Sequence, residues 1–284
     1  MDKTYGVLKQ QWMSELTPYY GAQETEALLR RVLDFRRSWS SLDLMLNQKE
    51  LVSPSDQKWF ALVLEDLAKL KPVQYVLGET YFYGHRFAVT RDVLIPRPET
   101  EELVDWIVTQ EASCHGLQIL DIGTGSGSIA ISLKLGLSDP KVTAWDVSEA
   151  ALIVAKSNAK DLSAEVFFVL QNVLTADLED PVWDIIVSNP PYVCVSEQAE
   201  MRPHVLDHEP GLALFVSDSD PLQFYQKIAE IGQKSLVAKG RLYFEINAAF
   251  GPETVTLLSE MGYRNVTLKN DTFGKPRMIC AVKV

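Results

Sequence analysis

The chain is poor in cysteine, in long apolar runs and, over much of its length, in basic residues. Three of its 284 residues are cysteines, Cys114, Cys194 and Cys280, and their spacing is not that of a metal site. Such a scattered, odd-numbered set favours a reducing, cytoplasmic setting without disulfides. No apolar run approaches the roughly 20 residues that span a bilayer, and the opening MDKTYGVLKQQWM carries no apolar stretch of the signal-peptide kind. We therefore expect no membrane association.

Basic residues are scarce in the second part of the chain. Residues 1–98 hold 13 Lys and Arg against 12 Asp and Glu, whereas residues 99–284 hold 14 against 26. A protein that binds duplex DNA needs a basic face that displaces counterions from the phosphates. The imbalance therefore argues against a stable nucleic-acid complex and suits a basic protein partner better. A monomer is the default expectation.

Helical periodicity dominates the N-terminal segment, residues 1–72. Trp59, Val63 and Leu67 recur on one helical stripe, which predicts the core of a helical bundle. With 46% hydrophobic and 23% charged residues overall, the chain can bury a core of this kind in each of two domains.

The composition turns aromatic and β-branched in residues 73–98. Bulky apolar residues recur at every second position, first at Phe87 and Val89 and then at Val93 and Ile95. This alternation predicts a β-hairpin that links two domains.

Apolar strands alternate with amphipathic helices from residue 99 to residue 284. The predicted strands are 117–122, 141–146, 165–170, 183–188, 240–246, 263–269 and 277–283. This order indicates an α/β fold with a mostly parallel seven-stranded sheet and helices on both faces. No helix separates the last two strands, so they are expected to pair antiparallel at one edge.

The first of these strands runs into a glycine-rich loop, DIGTGSG at residues 121–127. Glycines at a strand-to-helix turn let a ligand approach the backbone closely. Gly123, Gly125 and Gly127 are spaced two and two, whereas the dinucleotide fingerprint spaces its glycines two and three. An NAD-linked oxidoreductase is therefore disfavoured. The loop resembles the first motif of S-adenosylmethionine-dependent methyltransferases, in which Asp121 is expected to organise the loop and face the cationic end of the cofactor.

A polar residue stands at the end of the second strand, and another shortly after the third. Asp146 comes 19 residues after Gly127, where an acid accepts hydrogen bonds from both hydroxyls of a ribose. The alternative is an N-cap for the helix that starts near Ser148. Asn172 follows the third strand, at a position where a contact to adenine is expected, although asparagine is also common in loops.

The fourth strand ends at Ser188, so Asn189, Pro190, Pro191 and Tyr192 lie at the sheet edge where open α/β folds bind ligands. An amide or aromatic NH2 nitrogen is a poor nucleophile because its lone pair is delocalised, and two aimed acceptors would localise that pair. The Asn189 side-chain oxygen and the Pro190 carbonyl are suited to this task, since both proline rings fix φ and Pro191 keeps Pro190 extended. Tyr192 offers an aromatic face. An ordinary turn is the alternative, but the glycine loop upstream favours catalysis.

With these motifs the chain resembles the peptide chain release factor N5-glutamine methyltransferases. The class is indicated by DIGTGSG with NPPY, and the family by residues 72–104, PVQYVLGETYFYGHRFAVTRDVLIPRPETEELV, which contain P-x-Q-Y, F-x-G and IPRPET. HEPGLAL, FEIN and DTFGKPRM further downstream also fit. The likeness covers residues 72–284.

The resemblance implies a fold, a reaction and a partner. The fold is the class I S-adenosylmethionine-dependent methyltransferase fold at 99–284, joined through the linker at 73–98 to a helical substrate-docking domain at 1–72. The reaction methylates the glutamine side-chain nitrogen of a Gly-Gly-Gln loop in class 1 release factors and leaves S-adenosylhomocysteine.

The expected site residues combine the resemblance with the patterns above. Expected cofactor contacts are Asp121, Gly123, Thr124, Gly125, Ser126, Gly127, Asp146, Asn172 and Asn189. Expected substrate contacts are Asn189, Pro190, Pro191, Tyr192, Arg97 and Glu99, and Asn189, Pro190 and Tyr192 are the expected catalytic residues. The chain departs from the family pattern at Asn172, usually an aspartate, and at Asn247 and Phe250, usually Gly and Gln, so the closing segment is expected to pack differently.

Two other functions compete with this interpretation. A DNA adenine-N6 methyltransferase could use the same four residues on the amine of a flipped base, but the acidic second half argues against it. A binding module without catalysis has less support, because loop, acid and NPPY are all intact. A metal site is not predicted, since His204 and His208 lack a third ligand and Pro203 and Pro210 shorten any helix between them.

Overall fold

The computed structural model describes residues 3–178 and 180–284, which fall into two units. One unit holds the chain up to Gly78 together with Arg202–His208, and the other holds Glu79–Met201 together with Glu209–Val284. None of the helices in residues 3–178 and 180–284 combines the length and the hydropathy of a membrane-spanning segment. The predicted roles of the domains stay predictions.

The described residues fold into α-helices and β-strands, numbered in chain order. The helices are α1 (Tyr5–Tyr20), α2 (Ala22–Arg37), α3 (Ser41–Leu46), α4 (Pro54–Ala68), α5 (Val73–Leu77), α6 (Pro98–Gln110), α7 (Ser128–Gly136), α8 (Glu149–Asp161), α9 (Pro203–Leu206), α10 (Gly211–Leu214), α11 (Gln223–Ser235) and α12 (Gly251–Glu260). The strands are β1 (Glu79–Phe82), β2 (His85–Ala88), β3 (Gln118–Ile122), β4 (Lys141–Asp146), β5 (Val166–Leu170), β6 (Trp183–Ser188), β7 (Val193–Cys194), β8 (Phe215–Val216), β9 (Leu236–Glu245), β10 (Arg264–Asn270) and β11 (Pro276–Val282).

The first unit is a helical bundle, as its periodicity predicts. Trp12 of α1, Val32 of α2 and Phe60 of α4 are fully buried in one apolar cluster. Leu77 of α5 joins this cluster, so the helical unit extends past the predicted boundary at residue 72.

The second unit opens with the hairpin β1–β2, which turns at Tyr83 and Gly84. These two residues have φ values of 46° and 76°, and positive φ at both positions is the requirement of the type I′ loop, whose twist matches that of its strands. The predicted hairpin therefore exists, but the expectation that residues 93–95 form part of it is wrong. Val93 and Ile95 alternate because the loop before α6 buries every second side chain, not because it pairs as a strand.

The central sheet has the strand order β10-β11-β9-β6-β3-β4-β5. Strands β5, β4, β3, β6 and β9 run parallel, and β11 is antiparallel to both β9 and β10. The predicted mostly parallel, seven-stranded sheet with an antiparallel edge is thus confirmed. Strand β9 begins at Leu236 rather than at residue 240, because its first residues still pair with β6 across a register shift.

Helices cover both faces of this sheet. Ile119 and Leu120 are successive residues of β3, so their side chains point to opposite faces. Ile119 packs in the core that α6, α7 and α8 close, whereas Leu120 packs in the core that α11 and α12 close. Because both faces are buried, the polar groups that remain available for chemistry lie at the carboxyl ends of the strands.

Candidate active site

A cavity of about 240 Å³ lies at the carboxyl ends of β3, β4 and β6. The predicted site residues that line it are Gly123, Gly125, Asp146, Asn172, Asn189, Pro190 and Pro191. The structure thus brings the glycine loop, the acid at the end of β4 and the proline pair to one space. Its walls also include residues to which the sequence assigned no role, among them Val93 and Leu94 of the loop before α6, Ala213 of α10 and Phe224 of α11.

The backbone of the glycine loop faces the cavity without side chains to cover it at Gly123 and Gly125. A Cβ added at Gly125 would meet no heavy atom within 4 Å, and one added at Gly123 would meet only the backbone oxygen of Asn189, at 4.0 Å. Both glycines have positive φ, 77° and 55° for Gly123 and Gly125. A ligand can therefore approach the main chain of the loop directly, and Gly123 places this approach beside Asn189.

Gly127 serves packing rather than the cavity. It is buried, does not line the cavity and has a φ of 82°. A Cβ added there would lie 2.9 Å from Cδ1 of Ile131 and 3.2 Å from Cβ of Ala155. The absence of a side chain at Gly127 therefore lets the loop pack against α7 and α8.

Asp121 lies under the loop, fully buried, and does not reach the cavity wall. Its Oδ2 accepts a hydrogen bond of 2.7 Å from Oγ1 of Thr124. Burial raises the pKa of Asp121 to about 7, against the hydrogen bond from Thr124. Its Oδ1 has no hydrogen-bond partner in the part of the chain that is described. A buried carboxyl group in this state fits a cationic ligand on the adjoining loop, because positive charge stabilises the ionised form.

Asp146 ties the loop to the next helix. Its Oδ2 accepts from the backbone N–H of Gly125 at 2.8 Å, and its Oδ1 accepts from that of Ser148 at 2.9 Å. Burial raises the pKa of Asp146, and these backbone hydrogen bonds lower it. The helix is capped by Ser148 itself, which accepts from the backbone N–H of Ala151. Each carboxylate oxygen keeps a second lone pair, so the predicted contact of Asp146 with ribose hydroxyls stays a prediction that the geometry allows.

Asn172 is exposed at the cavity rim. Its Oδ1 accepts from the backbone N–H of Leu174 at 2.9 Å and caps a single 3₁₀ turn. Beside it, Val147, Val173 and Leu174 line the cavity with apolar surface suited to a flat ring. A contact between Asn172 and adenine stays a prediction.

Residues Asn189–Tyr192, called the NPPY corner below, follow β6 directly. Nδ2 of Asn189 donates to Oγ1 of Thr100 at 3.2 Å, and the Tyr192 hydroxyl donates to Oε1 of Glu245, also at 3.2 Å. Burial and the Glu245 carboxyl raise the pKa of Tyr192, so its hydroxyl stays protonated. Thr100 lies in the IPRPET segment and Glu245 in the FEIN segment. Their place in these two motifs is the sequence signal by which both could have been identified as residues of the site.

Arg97 and Glu99 do not line the cavity. Nη2 of Arg97 donates to Oε1 of Glu209 at 2.6 Å, while the backbone N–H of Ile95 donates to Oε2 of the same carboxylate at 3.3 Å. Glu209 is buried, so this ion pair holds the loop before α6 in place. Contacts of Arg97 and Glu99 with substrate stay predictions.

Two asparagines brace the site from outside the cavity. Nδ2 of Asn247, which stands where the family usually has glycine, donates to the backbone oxygen of Tyr192 at 3.1 Å. Asn158 of α8 accepts from the backbone N–H of Ala88 at 2.7 Å and donates to the backbone oxygen of Ser126 at 2.9 Å. Sequence reasoning missed Asn158, although a polar residue on the buried face of a helix is a usable signal.

These features fit S-adenosylmethionine. The cradle above Gly123 and Gly125 admits a ligand against backbone, the orphaned Asp121 oxygen suits a nearby cation, and Asp146 can accept from hydroxyl groups. The rim at Val147 and Val173 suits a purine.

Comparisons with known proteins agree with this assignment. The family described as methyltransferase small domain matches residues 100–206, and the PrmC N-terminal domain matches residues 14–78. A release factor glutamine methyltransferase of Bacteroides thetaiotaomicron is 45% identical over 267 residues, 94% of this chain and 95% of the relative. Another of that name from Flavobacterium psychrophilum is 43% identical over 272 residues, 95% of each chain.

Among solved structures, a methyltransferase from Pyrococcus furiosus shares the fold. Its TM-score is 0.52 at 18% identity, over 81% of this chain and 98% of that one. The class I methyltransferase fold predicted from the sequence is thereby confirmed. Because the two sequence relatives match almost the whole chain, it belongs to the release factor glutamine methyltransferase family and is an S-adenosylmethionine-dependent methyltransferase.

Proposed function

We propose that this protein methylates the side-chain amide nitrogen of a glutamine in class 1 peptide chain release factors, and that this glutamine lies in their Gly-Gly-Gln loop. One observation carries the proposal. The same cavity is lined by Gly123, Gly125 and Asp146, which suit the methyl donor, and by Asn189 and Pro190, which suit a primary amide. Donor and acceptor can therefore meet in one space.

The NPPY corner supplies what the acceptor nitrogen lacks. When bound, S-adenosylmethionine supplies an electrophilic methyl group on a sulfonium sulfur. Oδ1 of Asn189 and the carbonyl oxygen of Pro190 accept one hydrogen bond each from the two N–H groups of the glutamine. This arrangement localises the lone pair on nitrogen and aims it at the donor. Well-oriented reactions gain about 7–11 kcal/mol from such positioning.

The same two oxygens stabilise the charge that develops. Nitrogen becomes positive as the N–C bond forms and the S–C bond breaks, and preorganised acceptors stabilise that change without reorganising. The N-methylated amide is then a strong acid and loses its proton to water, so the corner needs no histidine or free carboxylate as a base. Tyr192 does not itself line the cavity. Its ring is proposed to offer a face for the carboxamide, and its hydroxyl is held by Glu245.

The helical unit is proposed to help bind the release factor. Three apolar residues of α3 support this role, since Leu42, Met45 and Leu46 are 60%, 66% and 72% exposed. Exposed apolar groups of this kind are typical of protein-binding surfaces. Arg97 and Glu99 at the start of α6 are proposed to contact the substrate near the reacting glutamine.

The direct test is mass spectrometry of a release factor incubated with the protein and S-adenosylmethionine. We expect one added methyl group on the glutamine of the Gly-Gly-Gln tripeptide, and none when this glutamine is replaced by glutamate. The Asn189→Ala protein should fold normally, but its kcat should fall by a factor of roughly 100 or more.

A DNA substrate provides the contrasting arm. Methylation of adenine in DNA, with no modification of the release factor, would overturn the proposal. Wild-type turnover by a folded Asn189→Ala protein would overturn the role of the NPPY corner.

A further inference from the structure

A chain of hydrogen bonds leads from the NPPY corner into the core. Asn189 donates from Nδ2 to Oγ1 of Thr100 at 3.2 Å, and Thr100 donates from Oγ1 to Oε2 of Glu245 at 2.6 Å. The hydroxyl of Tyr192 donates to Oε1 of Glu245 at 3.2 Å. Thr100 and Glu245 are 3% and 1% exposed, and neither lines the cavity. They can act on a ligand in the cavity only through Asn189, because Tyr192 does not line the cavity either.

The residues of this hydrogen-bond network lie in or directly beside regular secondary structure. Thr100 is in the first turn of α6, Glu245 is the last residue of β9, and Asn189 follows β6, the parallel neighbour of β9 in the sheet. The hydroxyl of Tyr225 also donates to the backbone oxygen of Glu245, at 3.3 Å. The distances between the three side chains are therefore set by secondary structure rather than by a mobile loop.

The position of the Thr100 hydroxyl hydrogen decides whether the NH2 group or the carbonyl oxygen of the Asn189 side chain faces Thr100. Glu245 accepts a hydrogen bond from each of the Thr100 and Tyr192 hydroxyl groups. Burial raises the pKa of Glu245, whereas these hydrogen bonds and the charge of Arg277 lower it. A threonine hydroxyl has one hydrogen, and the 2.6 Å contact commits it to Glu245. Thr100 can then offer Asn189 only a lone pair. The NH2 group of the Asn189 amide can bond to that lone pair, whereas its carbonyl oxygen would be repelled.

We propose that Thr100 and Glu245 are positioning residues that hold the Asn189 carboxamide with its NH2 group towards Thr100 and its carbonyl oxygen towards the acceptor amide. This inference rests on the proposed function, in which that oxygen accepts a hydrogen bond from the glutamine NH2. An asparagine turned over would present a donor to a donor and would oppose binding of the reactive nitrogen. The buried carboxylate thus sets the polarity of the catalytic amide through one hydroxyl.

The test substitutes Thr100 and compares kcat with KM. Thr100→Val keeps the shape and removes the acceptor, and Thr100→Ser restores the hydroxyl. Thr254→Val is the matched control, because Thr254 is equally buried in the first turn of α12 and its hydroxyl bonds the backbone oxygen of Phe250. It removes a buried hydroxyl that is not linked to Asn189.

We expect Thr100→Val to lower kcat for methylation of the release factor by about 10- to 100-fold, less than loss of a catalytic group itself. KM for the release factor and Kd for S-adenosylhomocysteine should stay within about twofold of wild type, since the lost interaction orients a catalytic group. Thr100→Ser should recover kcat to within about threefold, and Thr254→Val should leave kcat unchanged.

A second measurement needs no turnover. Nuclear magnetic resonance of ¹⁵N-asparagine-labelled protein follows the side-chain NH2 of Asn189, identified by its loss in Asn189→Asp. Its proton shifts should change in Thr100→Val and stay near wild type in Thr100→Ser and Thr254→Val.

The outcomes separate this inference from the proposed function. A folded Thr100→Val protein with wild-type kcat, an equal loss in Thr254→Val, or a change in KM alone would overturn the positioning role. An Asn189 NH2 signal that ignores Thr100→Val would overturn the hydrogen-bond assignment. Failure of the wild-type protein to modify a release factor would instead remove the proposed function, and the resonance measurement would still decide the orientation of the amide.

Discussion

Replacing Gly127 by alanine tests the glycine loop as a packing element. The residue has a φ of 82°, and an L-residue in the left-handed region costs roughly 1–2 kcal/mol. The new Cβ would also lie 3.2 Å from Cβ of Ala155 and 2.9 Å from Cδ1 of Ile131. The isoleucine methyl can rotate away, but the Ala155 Cβ is fixed to α8, and overpacking of this kind costs about 1–3 kcal/mol.

The unfolded chain offsets a small part of this loss. Alanine has less conformational freedom than glycine when unfolded, which favours folding by about 0.4–1 kcal/mol. We therefore expect Gly127→Ala to lower the free energy of unfolding by about 2–4 kcal/mol.

Gly125→Ala is the matched control for this substitution. Gly125 also has positive φ, at 55°, but an added Cβ there meets no atom within 4 Å. Only the backbone cost of roughly 1 kcal/mol should appear in stability. Because Gly125 lines the cavity, its new methyl group should instead weaken binding of S-adenosylhomocysteine.

Urea unfolding and calorimetry of ligand binding read the two effects separately. Gly127→Ala should lose mainly stability, and Gly125→Ala mainly affinity. The reasoning is refuted if both proteins lose equal stability, or if Gly125→Ala binds S-adenosylhomocysteine as tightly as wild type.

Two further predictions concern buried carboxyl groups. Burial raises the pKa of Asp121 from 3.8 to about 7, so the folded protein retains a proton there that the unfolded chain has lost, and stability falls as pH rises from about 4 to about 7. Asp121→Asn should remove this slope, worth up to roughly 4 kcal/mol, in thermal unfolding of the ligand-free protein between pH 4 and 8; parallel curves for the two proteins would refute it. Arg97→Met should leave the buried Glu209 carboxylate without its ionic partner and lower the free energy of unfolding in urea by about 1–3 kcal/mol, since Arg97 is itself partly exposed. Adding Glu209→Gln should restore most of that loss, and unchanged stability in Arg97→Met would contradict the ion pair.

Periodicity and local chemistry sufficed to predict the elements of the sheet. The strands around Ile119 and Ile185 are apolar on both faces and stand between amphipathic helices, so only a covered parallel sheet satisfies them. The hairpin was harder to place. Val93 and Ile95 alternate like strand residues although they lie in a loop. A loop that buries every second side chain and a strand that pairs in a sheet both place apolar residues at alternate positions of the sequence.

The site was predictable where a motif is contiguous. The glycines of DIGTGSG and the four residues of NPPY carry their chemistry in short spacing, and each follows directly from a strand end. The sequence by itself therefore determined the fold class and the class of cofactor, and it predicts that Asn189 and Pro190 present the acceptor oxygens.

Only the tertiary structure decided which residues form hydrogen bonds to the NPPY corner from outside the cavity. Thr100 and Glu245 are 145 residues apart in sequence and become hydrogen-bonded because α6 packs against the sheet that contains β9. The tertiary structure also distinguished the roles of two glycines in the same loop. Gly125 faces the cavity, whereas Gly127 faces Ala155. The physical reason is that hydrogen bonds and close contacts act over about 3–4 Å in space, whereas a pattern in one sequence reports only neighbours along the chain.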